Sequence, residues 1–116
     1  MTMIKLIIMD VDGVIVGQQK GINFPYPNQK VLSSLKKTRQ NVIPVVLFTG
    51  KYYRALKPVI QKAGLNNPHI TDSGAVIFDP VTDKASRSFN LEKSLVSKII
   101  KTALQNNIYI EVYSED

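Results

Sequence analysis

The chain of 116 residues reads as an α/β fold built on a parallel sheet. Two near-continuous apolar runs, Ile4–Met9 and Val42–Phe48, lack the in-out alternation of a half-exposed strand. Runs of this kind suit strands buried on both faces of a parallel sheet. Each run stops at polar or glycine residues, Asp10-Val11-Asp12-Gly13 after the first and Thr49-Gly50 after the second. Helical periodicity comes after each of them, so strands and helices alternate, with right-handed crossovers expected.

The elements come in order. Val14 to Phe24 holds short apolar pieces broken by Gly17 and Gly21, the pattern of a loop or small hairpin. Pro25 and Pro27 stiffen the approach to a helix that Asn28 can cap. Val31, Leu32 and Leu35 form its apolar stripe, and Lys36, Lys37 and Arg39 sit near its end, where cations suit the helix dipole. Pro44 cannot donate to a ladder and belongs at the start of the second strand. The second helix should run to Ala63 with Gly64 closing it, and Pro58 inside it predicts a kink or two short helices. His69-Ile70-Thr71 and Ala75–Phe78 read as short strands. Asp79-Pro80-Val81-Thr82-Asp83 is turn chemistry, and Ala85–Phe89 returns as a hairpin partner.

Asn90 can cap a helix over Leu91–Gln105, where Leu95, Val96, Ile99, Ile100, Ala103 and Leu104 make one apolar stripe. Ile108, Ile110 and Val112 alternate with polar neighbours, which predicts a half-buried strand. The change from continuous to alternating patterns near Lys84 divides the chain into two units, 1–84 and 85–116. The second has room only for the beginning of a domain. Its few strands would leave an open edge, which predicts self-association or poor order after about residue 84.

At 44% hydrophobic and 21% charged residues, the chain has the make-up of an ordinary globular protein. The absence of Cys excludes disulfides and thiolate metal sites, and a single His excludes His-rich zinc sites. The formal charge of +6 could attract phosphates, nucleic acid included. The lysines are scattered along helical segments as solvated faces, however, and no aromatic-basic motif or recognition-helix pattern points to nucleic acid. No apolar run approaches the ~20 residues that span a bilayer. Leu6–Met9 is too short for a signal-peptide core, so no membrane partner and a cytoplasmic location are expected.

Ligands of open parallel sheets bind at the carboxyl ends of the strands, where Asp10-Val11-Asp12 and Thr49-Gly50 fall. Residues two apart on an extended segment point the same way, so Asp10 and Asp12 should project into one crevice. Two neighbouring carboxylates repel unless a cation or proton offsets them, and a hard divalent ion such as Mg²⁺ fits. With a phosphoester bound, one Asp could act as nucleophile and the other as acid/base on the leaving group. The Thr49 hydroxyl and nearby amides would donate to the phosphate, and Gly13 and Gly50 would let the backbone approach closely. A calcium loop is excluded, because Val14 and Gly21 stand where it needs Asp/Asn and Glu. Gly50-Lys51 lacks the upstream Gly and the following Ser or Thr of a phosphate loop. Other residues have plainer readings: His69 as a packing or loop residue, Tyr52 and Tyr53 as partly buried. The Gly17/Gly21 region reads equally as a flap over the site or a flexible loop.

Ile7-Ile8-Met9-Asp10-Val11-Asp12-Gly13-Val14-Ile15 resembles the first signature of the haloacid dehalogenase-like (HAD) hydrolases. Val45-Val46-Leu47-Phe48-Thr49-Gly50-Lys51 resembles their second. Ile70 to Pro80 resembles the next stretch of the Cof-like, sugar-phosphatase branch. The resemblance implies a Rossmann-like HAD core, incomplete here, followed by the beginning of an α/β cap. It implies Asp10 as nucleophile forming an aspartyl-phosphate, its carboxylate also on Mg²⁺, and Asp12 as general acid/base, its backbone carbonyl also on the metal. Thr49, Gly50, Gly13 and Lys51 are the expected phosphate- or substrate-binding residues. The implied substrate is a small phosphorylated metabolite such as a sugar phosphate. Lys51 stands where Arg is commoner and Ser73 where Asn is usual. The family's later phosphate-holding Lys and its Gly-Asp-x-x-x-Asp acidic segment have no counterpart, since the chain contains no Gly-Asp pair. Little turnover by the chain alone is therefore expected, and the alternative is a non-catalytic phosphate/metal-binding or protein-interaction module.

Overall fold

The computed structural model describes residues 3–114. Strands β1 (Ile7–Met9) and β2 (Val45–Leu47) pair in parallel, with Ile7 opposite Val45 and Met9 opposite Leu47. Pro44 lies just outside β2, and its carbonyl accepts from the Ile7 amide at 3.0 Å. Phe48 forms a parallel bridge to Ile70, which carries the sheet on to β3 (His69–Thr71). A 3-10 turn over Asp72–Gly74 then reverses the chain into β4 (Val76–Asp79), antiparallel to β3. Strand β5 (Lys84–Ser88) completes the hairpin, with a register shift between Ile77 and Phe78.

Helix α1 (Gln29–Gln40) connects β1 to β2, and α2 (Tyr53–Ala63) connects β2 to β3. Asn28 caps α1, its side-chain oxygen accepting from the Val31 amide at 3.0 Å. Gly64 closes α2 in the left-handed conformation (φ +65°), which costs glycine nothing. Leu32 and Leu35 of α1 and Leu56, Val59 and Ile60 of α2 pack into one core with Val45 and Leu47. Burying each such side chain contributes roughly 1.5–3 kcal/mol, which holds both helices against the strands.

Four expectations change. Of the two outcomes expected at Pro58, the split does not occur, and helix α2 continues through it as one element. The first strand is not covered on both faces: Ile4, Leu6 and Ile8 are exposed, while Ile7 and Met9 pack against the core. Helix α3 (Lys93–Gln105) starts after Glu92, not at Asn90. It buries only Ala103, and Leu95, Ile99 and Leu104 stay open to solvent. Residues 108–113 do not form a strand. No strand among the described residues offers that segment a ladder, so it runs back past α2, where Tyr113 stacks on Tyr52 at 4.4 Å. No helix among the described residues is long and apolar enough to cross a membrane.

Candidate active site

The parallel register places the ends of β1 and β2 side by side. The Phe48 amide donates to the Met9 carbonyl at 2.9 Å, so Asp10 and Thr49 leave the sheet at the same rim. Val11 is fully buried between two exposed aspartates. An extended segment sends alternate side chains to opposite sides, so burying Val11 turns both Asp10 and Asp12 outward. Asp10 Oδ1 accepts from the Val11 amide at 2.6 Å, which fixes the carboxylate at the strand end.

Beyond Asp12 the chain turns sharply. Gly13 has φ +80°, and the amides of Ile15 and Val16 both donate to the Val11 carbonyl, at 3.0 and 2.8 Å. A Cβ at Gly13 would meet nothing within 4 Å, so glycine is needed there for its backbone angle and not for space. The predicted loop over 14–24 is present as two tight turns, closed by the bridges Asp12–Val16 and Lys20–Phe24. Asp12, Gly13, Gly17, Gln18 and Phe24 line a cleft of about 370 Å³.

The loop after β2 leaves the sheet at the same rim and lies outside the lining of that cleft. Lys51 Nζ lies 3.1 Å from Asp12 Oδ1, joining the two loops across the crevice. Thr49 is buried, and its Oγ1 accepts from the Lys51 amide at 3.1 Å. The Thr49 amide donates to the Ile70 carbonyl and the Ser73 amide donates to the Thr49 carbonyl, at 3.0 and 3.1 Å. The amides of Thr49 and Lys51 are therefore engaged within the protein, which leaves the Gly50 N–H as the open amide of the Thr49-Gly50-Lys51 segment among the described residues. A Cβ on Gly50 would sit 3.2 Å from Ser73 Oγ, so glycine here serves the close approach of two loops.

The turn over Asp72–Gly74 is a part of the rim that the sequence motifs do not mark as a supporting contact. Asp72 and Ser73 both adopt positive φ, 53° and 55°, and the Asp72 amide donates to the Lys51 carbonyl at 3.0 Å. The cue available in the sequence is Asp-Ser-Gly directly after a strand ending at the same rim. Tyr53 belongs to the core, stacked on Phe78 at 4.9 Å, while Tyr52 is half-buried and donates to the Ser114 carbonyl at 3.1 Å.

Asp10 and Asp12 are hard oxygen donors. Mg²⁺ retains several waters and binds through one or two carboxylates plus substrate phosphates, so the pair fits that ion chemically. Among the described residues no three His, Cys, Asp or Glu side chains are grouped to hold a metal.

Open α/β sheets bind their ligands in the crevice at the carboxyl ends of the strands, where this chain carries Asp10, Asp12 and Thr49. The profile of the haloacid dehalogenase-like hydrolases matches residues 7–116, and the chain belongs to that family. A glucosyl-3-phosphoglycerate/mannosyl-3-phosphoglycerate phosphatase from Persephonella marina is 27% identical over 86 residues, covering 74% of this chain and 29% of that protein. A HAD-superfamily phosphatase from Bacteroides thetaiotaomicron superposes with a TM-score of 0.70 at 22% identity, over 90% of this chain and 37% of its own. A haloacid dehalogenase-like hydrolase from the same organism gives 0.77 at 18% identity, over 89% of this chain and 38% of its own. These structures share the fold, and the chain spans well under half the length of each of these relatives.

Proposed function

We propose that the chain carries the nucleophile-bearing part of a Mg²⁺-dependent phosphatase for small phosphorylated metabolites, sugar phosphates foremost, with little turnover by itself. One observation carries the reading: two carboxylates flank the buried Val11 at the rim, and the Thr49-Gly50-Lys51 loop faces them, with Lys51 on Asp12. The match to a sugar-phosphoglycerate phosphatase supports the substrate class.

In this reading a carboxylate oxygen of Asp10 attacks phosphorus, and the bond from phosphorus to the ester oxygen breaks. Asp12 gives its proton to the departing alkoxide, then takes a proton from the water that attacks the aspartyl-phosphate, releasing inorganic phosphate and free Asp10. The Thr49 hydroxyl and the Gly50 N–H donate to the phosphoryl oxygens, and Gly13 turns the loop so that Asp12 faces them. Mg²⁺, held by the Asp10 carboxylate and the Asp12 backbone carbonyl, would supply positive charge against the anionic Asp10 and an anionic phosphate.

The test combines Mg²⁺ titration by calorimetry, in the presence of phosphate, with hydrolysis of p-nitrophenyl phosphate. Phosphate-assisted Mg²⁺ binding should be lost in Asp10→Asn, and slow Mg²⁺-dependent hydrolysis should vanish in the same variant. Equal Mg²⁺ binding by both proteins overturns the site. Fast hydrolysis lost in Asp10→Asn supports the phosphatase and overturns the claim of low turnover. The second reading, a phosphate/metal-binding or protein-interaction module without catalysis, is favoured by the lack of a Gly-Asp pair for the family's later acidic segment. It requires binding with no hydrolysis at all.

A further inference from the structure

We propose that Lys51 is a cation with two alternative partners: it holds Asp12 in the free site and transfers to the phosphoryl group of an entering ligand. The inference rests on the phosphate-site reading above and adds a moving part to it. Lys51 is pinned by its backbone on both sides, its N–H on Thr49 Oγ1 at 3.1 Å and its carbonyl accepting from the Asp72 amide at 3.0 Å. Its Cα is thus fixed at the rim, and only the four-carbon stem is free to redirect the ammonium.

The pair with Asp12 is one that can be surrendered. The side chains keep 33% and 51% of their surface in water, and ion pairs this open hold weakly. A phosphate in the crevice offers the ammonium more negative charge than one carboxylate, and lysine binds phosphate as a compact point charge. The position also suits the role. The Thr49 hydroxyl, Gly50 N–H and Lys51 ammonium are three donors on consecutive residues, at the end of a strand whose neighbour carries Asp10 and Asp12.

The next two cations along the chain are committed elsewhere. Lys57 pairs with Asp83 at 2.6 Å, and Arg54 donates to the Tyr53 hydroxyl at 3.1 Å. The cleft beside Asp12 is lined by no cation, and Lys51 adjoins it through its pair with Asp12. Without Lys51, phosphate would meet Asp10 and Asp12 with no opposing side-chain charge from these groups.

The experiment titrates the full chain with inorganic phosphate in metal-free buffer at low salt, by calorimetry, with thermal melting alongside. Lys51→Met should weaken phosphate binding by about tenfold, the scale of one lost charge-assisted hydrogen bond. Lys51→Arg should restore most of the affinity, and neither change should move the melting temperature appreciably. Asp12→Asn should tighten phosphate binding, and by more when Lys51 is present than in the Lys51→Met background, because only then is a competing partner removed. A loss of affinity in Thr49→Ala with none in Lys51→Met overturns the role of Lys51 and leaves the phosphate site standing. An equal gain from Asp12→Asn in both backgrounds overturns the exchange. Unchanged affinity in both Thr49→Ala and Lys51→Met, or no phosphate binding by the unmodified chain, overturns the site reading together with the inference.

Discussion

His69 should make the fold acid-sensitive between pH 6.5 and 4. The imidazole is fully buried at the start of β3, and its Nδ1 accepts from the Leu47 amide at 3.1 Å while Nε2 has no hydrogen-bond partner among the described residues. The ring thus stands in for a ladder bond between β2 and β3, in a form that requires a bare Nδ1. Burial disfavours the imidazolium and lowers the pKa from 6.5 to about 4. Below pH 6.5 the unfolded chain protonates this residue while the folded chain does not, so the unfolded state binds more protons and stability falls with pH. The loss saturates below the folded value. At 1.36 kcal/mol per pKa unit, it reaches about 2 kcal/mol at pH 5 and about 3 kcal/mol below pH 4. That is a large part of the stability of a small domain. Urea unfolding followed by circular dichroism at pH 7.5, 6.5, 5.5 and 5.0 measures the slope. His69→Asn keeps a side-chain acceptor near Leu47 and does not titrate, so it should be less stable at pH 7.5 but show a flatter pH profile. Parallel profiles for the two proteins would refute the reasoning.

Two further substitutions test the local structure that positions the site. Gly13→Ala meets no steric obstacle but must hold φ near +80°, so it should cost about 1–2 kcal/mol in urea unfolding; an unchanged midpoint would mean the loop relaxes to another turn. Asn28→Ala removes the acceptor for the Val31 amide at the head of α1 and should cost about 1 kcal/mol, whereas Asn28→Asp should be close to neutral; equal losses would show that the cap bond is not the source.

Local chemistry was the legible part of the fold. Asn28 before an apolar stripe and Gly64 after one are cues whose physics lies within four residues of the position they mark, and both caps form as read. Expectations failed where the outcome depends on a distant neighbour. The runs at Ile4–Met9 and Leu91–Gln105 report correctly which faces are apolar, but a pattern cannot say whether anything lies against them. Ile8, Leu95 and Ile99 remain exposed among the described residues. The alternation of Ile108, Ile110 and Val112 fails in the same way, since a strand is defined by the partner that satisfies its amides. Pro58 is a different case. A kink or a split into two short helices was expected from its missing N–H and ring, yet the helix is one element, and residues on both sides of Pro58, Leu56 and Val59 with Ile60, are driven into one core. The burial of those three side chains outweighs one lost backbone bond.

The candidate site divides along the same line. Asp10 and Asp12 could be placed on one side of the chain because strand alternation is local, and the burial of Val11 between them is the same fact seen from the core. Thr49 and Gly50 could be placed at the rim because parallel strands align their carboxyl ends. What the sequence withheld is how the loops engage one another. The Thr49 amide faces Ile70, Ser73 reaches back to Thr49, and Asp72 takes the carbonyl of Lys51. Each is a contact between residues some twenty positions apart, made by backbone atoms that every residue shares. Side-chain identity therefore leaves little trace of them, apart from the Asp-Ser-Gly signature of a turn with positive φ. The Lys51–Asp12 pair lies 39 positions apart in the chain and depends on both loops being held by those same backbone bonds. A rim stitched by backbone tolerates exchange of its side chains, so Arg at position 51 or Asn at position 73 should leave the frame that presents them in place.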